Sequence, residues 1–313
     1  MRPRVLILGL PYFGRLMESD LNRRGWRARY HPHPGRNPRH WTRLLPDFAR
    51  ADLVYLISSR IDRRSPQAIL AWLSPRPIVI HWVGTDVLFA LEAFRAGNAS
   101  RRLLDHAVHL ADAPWLTGEI GELGVTADYA PMPVPGLSPN EPPPLPAEFR
   151  VLVYFPVDSL DREDYDAETI FHLVDDFPGV RFLLIPSPPE TLPRPLSPNL
   201  EARGWVDDME AVYRETTVYL RLTHHDGTSF MAVEALSRGR HVIWTFPMPG
   251  AIEARGYEQV ATALRDLIAR HEAGKLGLND EGREAVLRDF DPERLGTELN
   301  RKLRSALRGE KPG

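Results

Sequence analysis

The sequence predicts an α/β protein built as two doubly wound parallel-sheet domains in series. Three observations predict it. Short apolar segments alternate with helical patterns along residues 1–130 and again along 149–290. Eight prolines fall within residues 131–146, between the two series. No apolar run approaches the roughly 18 residues of a membrane-spanning helix, and 313 residues leave room for two domains at roughly 150 residues each.

In the first series, strands are expected over 5–10, 28–31, 53–57, 78–81 and 108–111, and helices near 15–24, 39–49, 66–73, 87–96 and 116–123. The opening apolar run spans about six residues, too short for a signal-peptide core, and serves as the first strand. The proline-dense stretch is neither helix nor central strand and is expected as a stiff, extended linker. In the second series, strands are expected over 150–155, 181–185, 218–222 and 241–244, and helices near 167–175, 208–215, 230–238 and 257–271. The domain limits that follow are 1–137, a linker over 138–148, a second domain over 149–290, and a helix-prone tail over 291–313.

Composition is that of a soluble globular protein, 43% hydrophobic and 26% charged. The absence of cysteine excludes disulfides, thiolate metal sites and cysteine nucleophiles. A cytoplasmic location follows as the default. Charge is uneven: residues 1–137 carry 18 Arg against 12 acids, whereas 138–313 carry 21 basic against 30 acidic residues. The first fifty residues hold 11 Arg and only Glu18, Asp20 and Asp47. Such a bias is either a solvated basic face or a surface for anionic lipid or an anionic acceptor. Peripheral contact with the inner face of a membrane is therefore one expected partnership.

The segment 219–245 carries the chemistry. An apolar strand is followed by the polar loop 223–229, a helix over 230–238, Gly239 as its stop, and a second strand over 241–245. Gly227, Thr228 and Ser229 lead into the helix at Phe230, and the free N–H groups of such a corner form an anion site. Glu234, early in the helix, can bind the two hydroxyls of a ribose, and Asp226 stands in the loop before it. Together these suit a nucleotide diphosphate-sugar.

This segment resembles the signature of GT-B-fold glycosyltransferases of the retaining, family-4 type: an acid, seven residues, Glu-Ala, then Gly and an apolar strand. Here those are Asp226, Glu234-Ala235, Gly239 and 242–245. The resemblance implies two Rossmann-like domains facing a cleft, with the final helix returning to the first domain. It implies transfer of a sugar from a nucleotide diphosphate-sugar to a hydroxyl acceptor (a glycan, a lipid or a small molecule), in polysaccharide or glycolipid biosynthesis, with no metal and no cofactor beyond the donor. In the family the second acid, Glu234, holds the donor ribose, and the first contacts the donor sugar; the usual first residue is Glu, and here it is Asp226.

The likeness extends to Leu10–Gly14 as a glycine-bearing first loop, reduced to Gly14 alone; to the loop at His81–Asp86, which would put His81 beside the donor sugar and Asp86 near it; and to the loop-helix of 204–213 that cradles the base. The family's diphosphate cations come from the loop matching 156–166, which offers Arg162 among five acids and no Lys. Arg221 and Arg15 are the available substitutes.

Other constellations are weaker. Thr85 or Asp86 would also serve as an N-cap. Gly9 to Gly14 is not a dinucleotide fingerprint, since position 11 is Pro, so NAD binding is disfavoured. Asp289 and Asp291 suit a cap better than a metal, and His31, His33, His224 and His225 lack the spacing of a metal site. Trp205 and Tyr213 are expected as core residues. Three rival functions stay open: a sugar-nucleotide epimerase, a non-catalytic sugar-nucleotide or polysaccharide-binding protein, and a structural partner keeping only the fold.

Overall fold

The computed structural model describes residues 2–34, 38–157 and 164–310. The chain divides into two compact units, Met1–Pro133 with Pro292–Gly313, and Val134–Asp291.

In the first unit, β1 (Arg4–Gly9), β2 (Arg27–Pro32), β3 (Leu53–Ile57), β4 (Ile78–Trp82), β5 (Ala107–Ala111) and β6 (Ala127–Tyr129) alternate with α1 (Pro11–Arg23), α2 (Pro38–Arg50), α3 (Pro66–Leu73), α4 (Asp86–Arg95), α5 (Arg101–His106) and α6 (Pro114–Gly121). The strands form one parallel sheet in the order β2-β1-β3-β4-β5-β6. Every residue of β3 and β4 is buried, as expected of central strands covered on both faces. A connection from β1 to β2 on one side and then to β3 on the other puts the topological switch between β1 and β3.

The second unit repeats the pattern. Its strands are β7 (Arg150–Phe155), β8 (Arg181–Pro186), β9 (Leu200–Ala202), β10 (Val218–Arg221), β11 (His241–Trp244) and β12 (Ile252–Glu253). Its helices are α7 (Ala167–Asp176), α8 (Met209–Arg214), α9 (Phe230–Ser237), α10 (Gly256–Glu272) and α11 (Asp280–Asp289). The parallel order is β12-β11-β10-β7-β8-β9, so the switch lies between β7 and β10.

Helix α12 (Pro292–Leu307) belongs to the first unit. It buries Leu295, Leu299 and Leu303, a stripe at helical spacing. The indole N–H of Trp26, a residue only 1% exposed, donates to Asn300 Oδ1 at 2.7 Å, and Lys302 Nζ reaches Asp128 Oδ2 at 2.7 Å.

The strands foreseen from apolar runs are present. β6, β9 and β12 were not foreseen, because two or three residues paired at a sheet edge leave almost no periodic signal, and helices α5 and α11 were not foreseen either. Helix α1 begins at Pro11, four residues before the expected start; proline at the first helical position needs no N–H partner there.

The proline-dense stretch is held to the second unit by its carbonyls. Proline has no N–H to give, yet its C=O groups still require donors. Arg240, fully buried, donates to Pro143 O at 2.8 Å and Pro144 O at 3.1 Å. Arg283 Nη2 reaches Pro139 O and Asn140 O, and His271 Nε2 meets Pro146 O. Burial pushes the Arg240 guanidinium down to about 10. Among the described residues, no helix is long and apolar enough to cross a membrane.

Candidate functional site

Ligands of doubly wound sheets bind beyond the carboxyl ends of the strands at the switch point. In the second unit this is where β7 ends at Phe155 and β10 ends at Arg221. Arg221 does not extend freely from its strand. Its Nε donates to Asp226 Oδ2 at 2.5 Å and its Nη2 to Asp226 Oδ1 at 3.0 Å, and each side chain is only 13% exposed. The guanidinium lies 5.5 Å from the ring centre of Tyr154 and 5.4 Å from that of Tyr165, within the range of cation–π attraction. Burial pushes the Tyr165 hydroxyl far above its ordinary range, so it stays protonated.

Beyond this pair the chain enters α9. Ser229 is the N-cap, its Oγ accepting from the Ala232 N–H at 3.2 Å, and Gly227, Thr228 and Ser229 are buried. Phe230 opens the helix and Glu234 stands one turn in. Glu234 Oε2 accepts from the Tyr213 hydroxyl at 2.8 Å. Burial raises the Glu234 pKa, while the Tyr213 donor and the charge of Arg238 oppose that rise. Arg238 stacks 4.7 Å from the Tyr213 ring centre, meets Glu210 Oε2 at 2.8 Å, and donates to the carbonyls of Glu234 and Gly136. Gly136 is therefore held beside the carboxylate. A Cβ there would come within 2.1 Å of Glu234 Oε1, so only glycine fits without moving it.

At the same carboxyl edge, Gly204 turns the chain after β9 with φ +69, where glycine is favoured. Trp205 follows, 79% exposed, with its indole N–H on Asp207 Oδ1 at 2.8 Å. Asp208 caps α8 through the Ala211 N–H. Trp205 is thus corrected from a core residue to a surface ring held in place, whereas Tyr213 is fully buried as expected.

No protein-family model and no curated protein sequence matches the chain. Solved structures do. A sucrose-phosphate synthase from Thermosynechococcus elongatus superposes with a TM-score of 0.73 at 13% identity, over 99% of this chain and 100% of that one. A glycosyltransferase from Rickettsia africae gives 0.67 at 10% identity, over 98% and 99%. TarM gives 0.56 at 10% identity, over 80% of this chain and 54% of its own.

The chain has the GT-B fold.

On this GT-B frame, the residues expected from the second unit come together: Asp226, Arg221, Gly227, Thr228, Ser229, Phe230 and Glu234 all lie at one end of one sheet. Arg162 lies outside the described residues. The first-unit expectations need correction. Gly14 is in the first turn of α1, not in an open loop, and a Cβ on it would meet the Tyr30 ring at 2.2 Å. It permits helix–strand packing rather than approach to a phosphate. Arg15 is exposed beside it. His81 belongs to β4 and is fully buried, its Nδ1 2.6 Å from the Tyr55 hydroxyl. Burial pushes its pKa down to about 3, so it is neutral and closed off from solvent. Asp86 opens α4 and accepts from the Val83 N–H at 3.1 Å, while Thr85 is the N-cap without a side-chain cap bond.

Asp289 is engaged by its neighbour Arg288, and among the described residues no three His, Asp or Glu gather as metal ligands. Tyr154, Tyr165, Arg238 and Gly136 were missed. Only Arg238 had a sequence cue, its place beside the helix-stopping Gly239.

Proposed function

We propose that the protein transfers a sugar from a nucleotide diphosphate-sugar to a hydroxyl acceptor, with retention and without a metal ion. The observation that carries this reading is Glu234: a carboxylate one turn into α9, beside the switch point of the second sheet, oriented by Tyr213 and Arg238. A carboxylate so fixed accepts from the two ribose hydroxyls. The first N–H groups of α9 and the positive end of its dipole face the diphosphate. Asp226, held by Arg221, stands in the loop before α9 on the side of the donor sugar, and Trp205 offers a flat apolar face to the base.

The bond from the anomeric carbon to the diphosphate oxygen breaks, the bond to the acceptor oxygen forms, and the hydroxyl proton leaves with the nucleoside diphosphate. His81, buried and neutral, takes no part in that transfer. Structures of the same fold support a diphosphate donor: TarM was solved with UDP, and the pneumococcal GtfA with UDP and GlcNAc. The test is a thermal-shift screen against UDP, GDP, ADP, dTDP and CMP and their sugars. One diphosphate should stabilise the protein by mass action and lose that effect in Glu234→Ala. No shift with any nucleotide at millimolar concentration removes the reading.

A second reading is favoured by one observation. Among the described residues, Arg221, a cation at this carboxyl edge, is already engaged by Asp226, and a leaving diphosphate needs charge stabilisation. A non-catalytic sugar-nucleotide-binding protein would need none. Tight nucleotide binding with neither transfer nor hydrolysis would select it.

A further inference from the structure

Five arginines gather around one cavity in the first unit, away from the carboxyl ends of its strands. The cavity measures about 440 Å³, within the roughly 300–1,000 Å³ typical of small-ligand pockets. Arg4 begins β1 and Arg27 begins β2, and the two are register partners. Arg29, two residues along the edge strand β2, shares a face with Arg27. Arg50 ends α2 just before β3, and Arg2 precedes β1. All five guanidinium-bearing residues line the one cavity and are exposed.

Several arginines elsewhere in this unit are paired: Arg24 with Asp20 and Glu293, Arg95 with Glu122, and Arg101 with Asp105. Among the described residues, no ion pair engages Arg2, Arg4, Arg27, Arg29 or Arg50; Asp52 accepts only the backbone N–H of Arg4. Among the described residues the single acid lining the cavity is Asp47, whose Oδ2 lies 2.9 Å from His31 Nε2. Five like charges around one volume repel one another, and an anion placed among them relieves all of those repulsions together. Guanidinium forks match phosphate oxygens bidentately, and arginine supplies that geometry where lysine would supply only a point charge. The position also separates this cavity from substrate chemistry. It opens at the amino-terminal edge of the sheet, whereas ligands of doubly wound sheets bind at the carboxyl edge.

We propose that this cavity binds a phosphate-bearing anion, held chiefly by Arg27 and Arg29 on the edge strand and closed by Arg4 and Arg50. The anion is either a free pyrophosphate-like ion or the headgroup of an acidic phospholipid, and one experiment separates the two. The full chain is titrated calorimetrically with inorganic phosphate and pyrophosphate. It is also sedimented with phosphatidylcholine vesicles with and without phosphatidic acid. The same measurements are made on Arg27→Gln/Arg29→Gln and on Arg43→Gln/Arg102→Gln, which removes two exposed arginines outside the cavity.

The expected result is a binding step, to pyrophosphate or to phosphatidic acid vesicles, that weakens at least tenfold in the first double variant and less than twofold in the second. Its unliganded melting temperature should be kept or raised, since repulsion is relieved. Binding in solution identifies a free anion, and binding to vesicles alone identifies a headgroup. Failure of every probe to bind the wild type overturns the proposal, as does survival of every binding step in Arg27→Gln/Arg29→Gln or an equal loss in Arg43→Gln/Arg102→Gln.

Discussion

Arg221 and Asp226 share two hydrogen bonds across the loop that follows β10, so the acid of the motif and the cation nearest to it form one paired unit. Asp226→Ala therefore does more than delete a sugar contact. It leaves a buried guanidinium beside two tyrosine rings without its counter-charge, which costs ~3–5 kcal/mol. Urea denaturation should show that loss alongside the loss of sugar transfer. The double variant Arg221→Met/Asp226→Leu should recover most of the stability and none of the transfer. Full stability in Asp226→Ala alone would mean that the pair does not hold in solution.

Gly136 lets Glu234 occupy its place. Gly136→Ala pushes a methyl group to within 2.1 Å of the carboxylate oxygen, and the flexible carboxylate is what yields. Nucleoside diphosphate affinity should fall about tenfold, equivalent to ~1.4 kcal/mol, with little change in melting temperature. Calorimetric titration of the variant with the diphosphate found in the screen decides this; unchanged affinity would detach Gly136 from the site.

The raised pKa of Glu234 has a sign that can be worked through. A carboxyl whose folded pKa lies above its ordinary 4.5 binds more protons folded than unfolded, so it favours folding at low pH, and that contribution is lost as pH rises through the folded value. Glu234→Gln keeps the acceptor for Tyr213 without the charge. The unliganded variant should match the wild type at pH 4 and become the more stable of the two above pH 4.5, while losing nucleotide binding. Melting curves from pH 4 to 8 would show the crossing or its absence.

His81 behaves in the opposite sense. Its folded pKa of about 3 lies below the ordinary 6.5, so the unfolded chain takes up the proton first and stability falls as pH drops below 6.5. The slope expected from this one group is ~1.4 kcal/mol per pH unit. His81→Asn should be less stable at neutral pH yet show a shallower acid slope. An equal slope in both proteins would exclude His81 as the source.

Trp205 is exposed, and its indole N–H donates to Asp207. Trp205→Ala should leave stability within about 0.5 kcal/mol while weakening nucleotide binding by ~1–3 kcal/mol, the range of a base stacked on an aromatic ring. Retained affinity would place the base elsewhere.

The fold was legible because buried strand segments such as Leu53–Ile57 and Val218–Leu220 leave unbroken apolar runs, and their alternation with helices dictates a parallel sheet. The corner from Asp226 to Glu234 was legible because its parts are adjacent in sequence. Contacts between distant segments were not. Nothing in the local pattern around Gly136 shows that Glu234 fills the space above it, or that Tyr154 and Tyr165 both lie against Arg221. Gly14 misled because a glycine after a strand suits both a ligand loop and a helix packed on an aromatic ring; Pro11 was the cue for the helix. His81 misled because a polar residue after an apolar run looks like a strand end, whereas the Tyr55 hydroxyl lets the strand continue through it.

The return of α12 to the first unit bears on the order of events at the ribosome. The indole of Trp26 waits for Asn300, and the floor under Leu295, Leu299 and Leu303 stays open until those residues are made. The second unit is one uninterrupted stretch and can close as soon as Asp291 has emerged. Domains usually fold in order of synthesis. Here the unit translated first is completed last, and during elongation it is the unit that exposes apolar surface to chaperones.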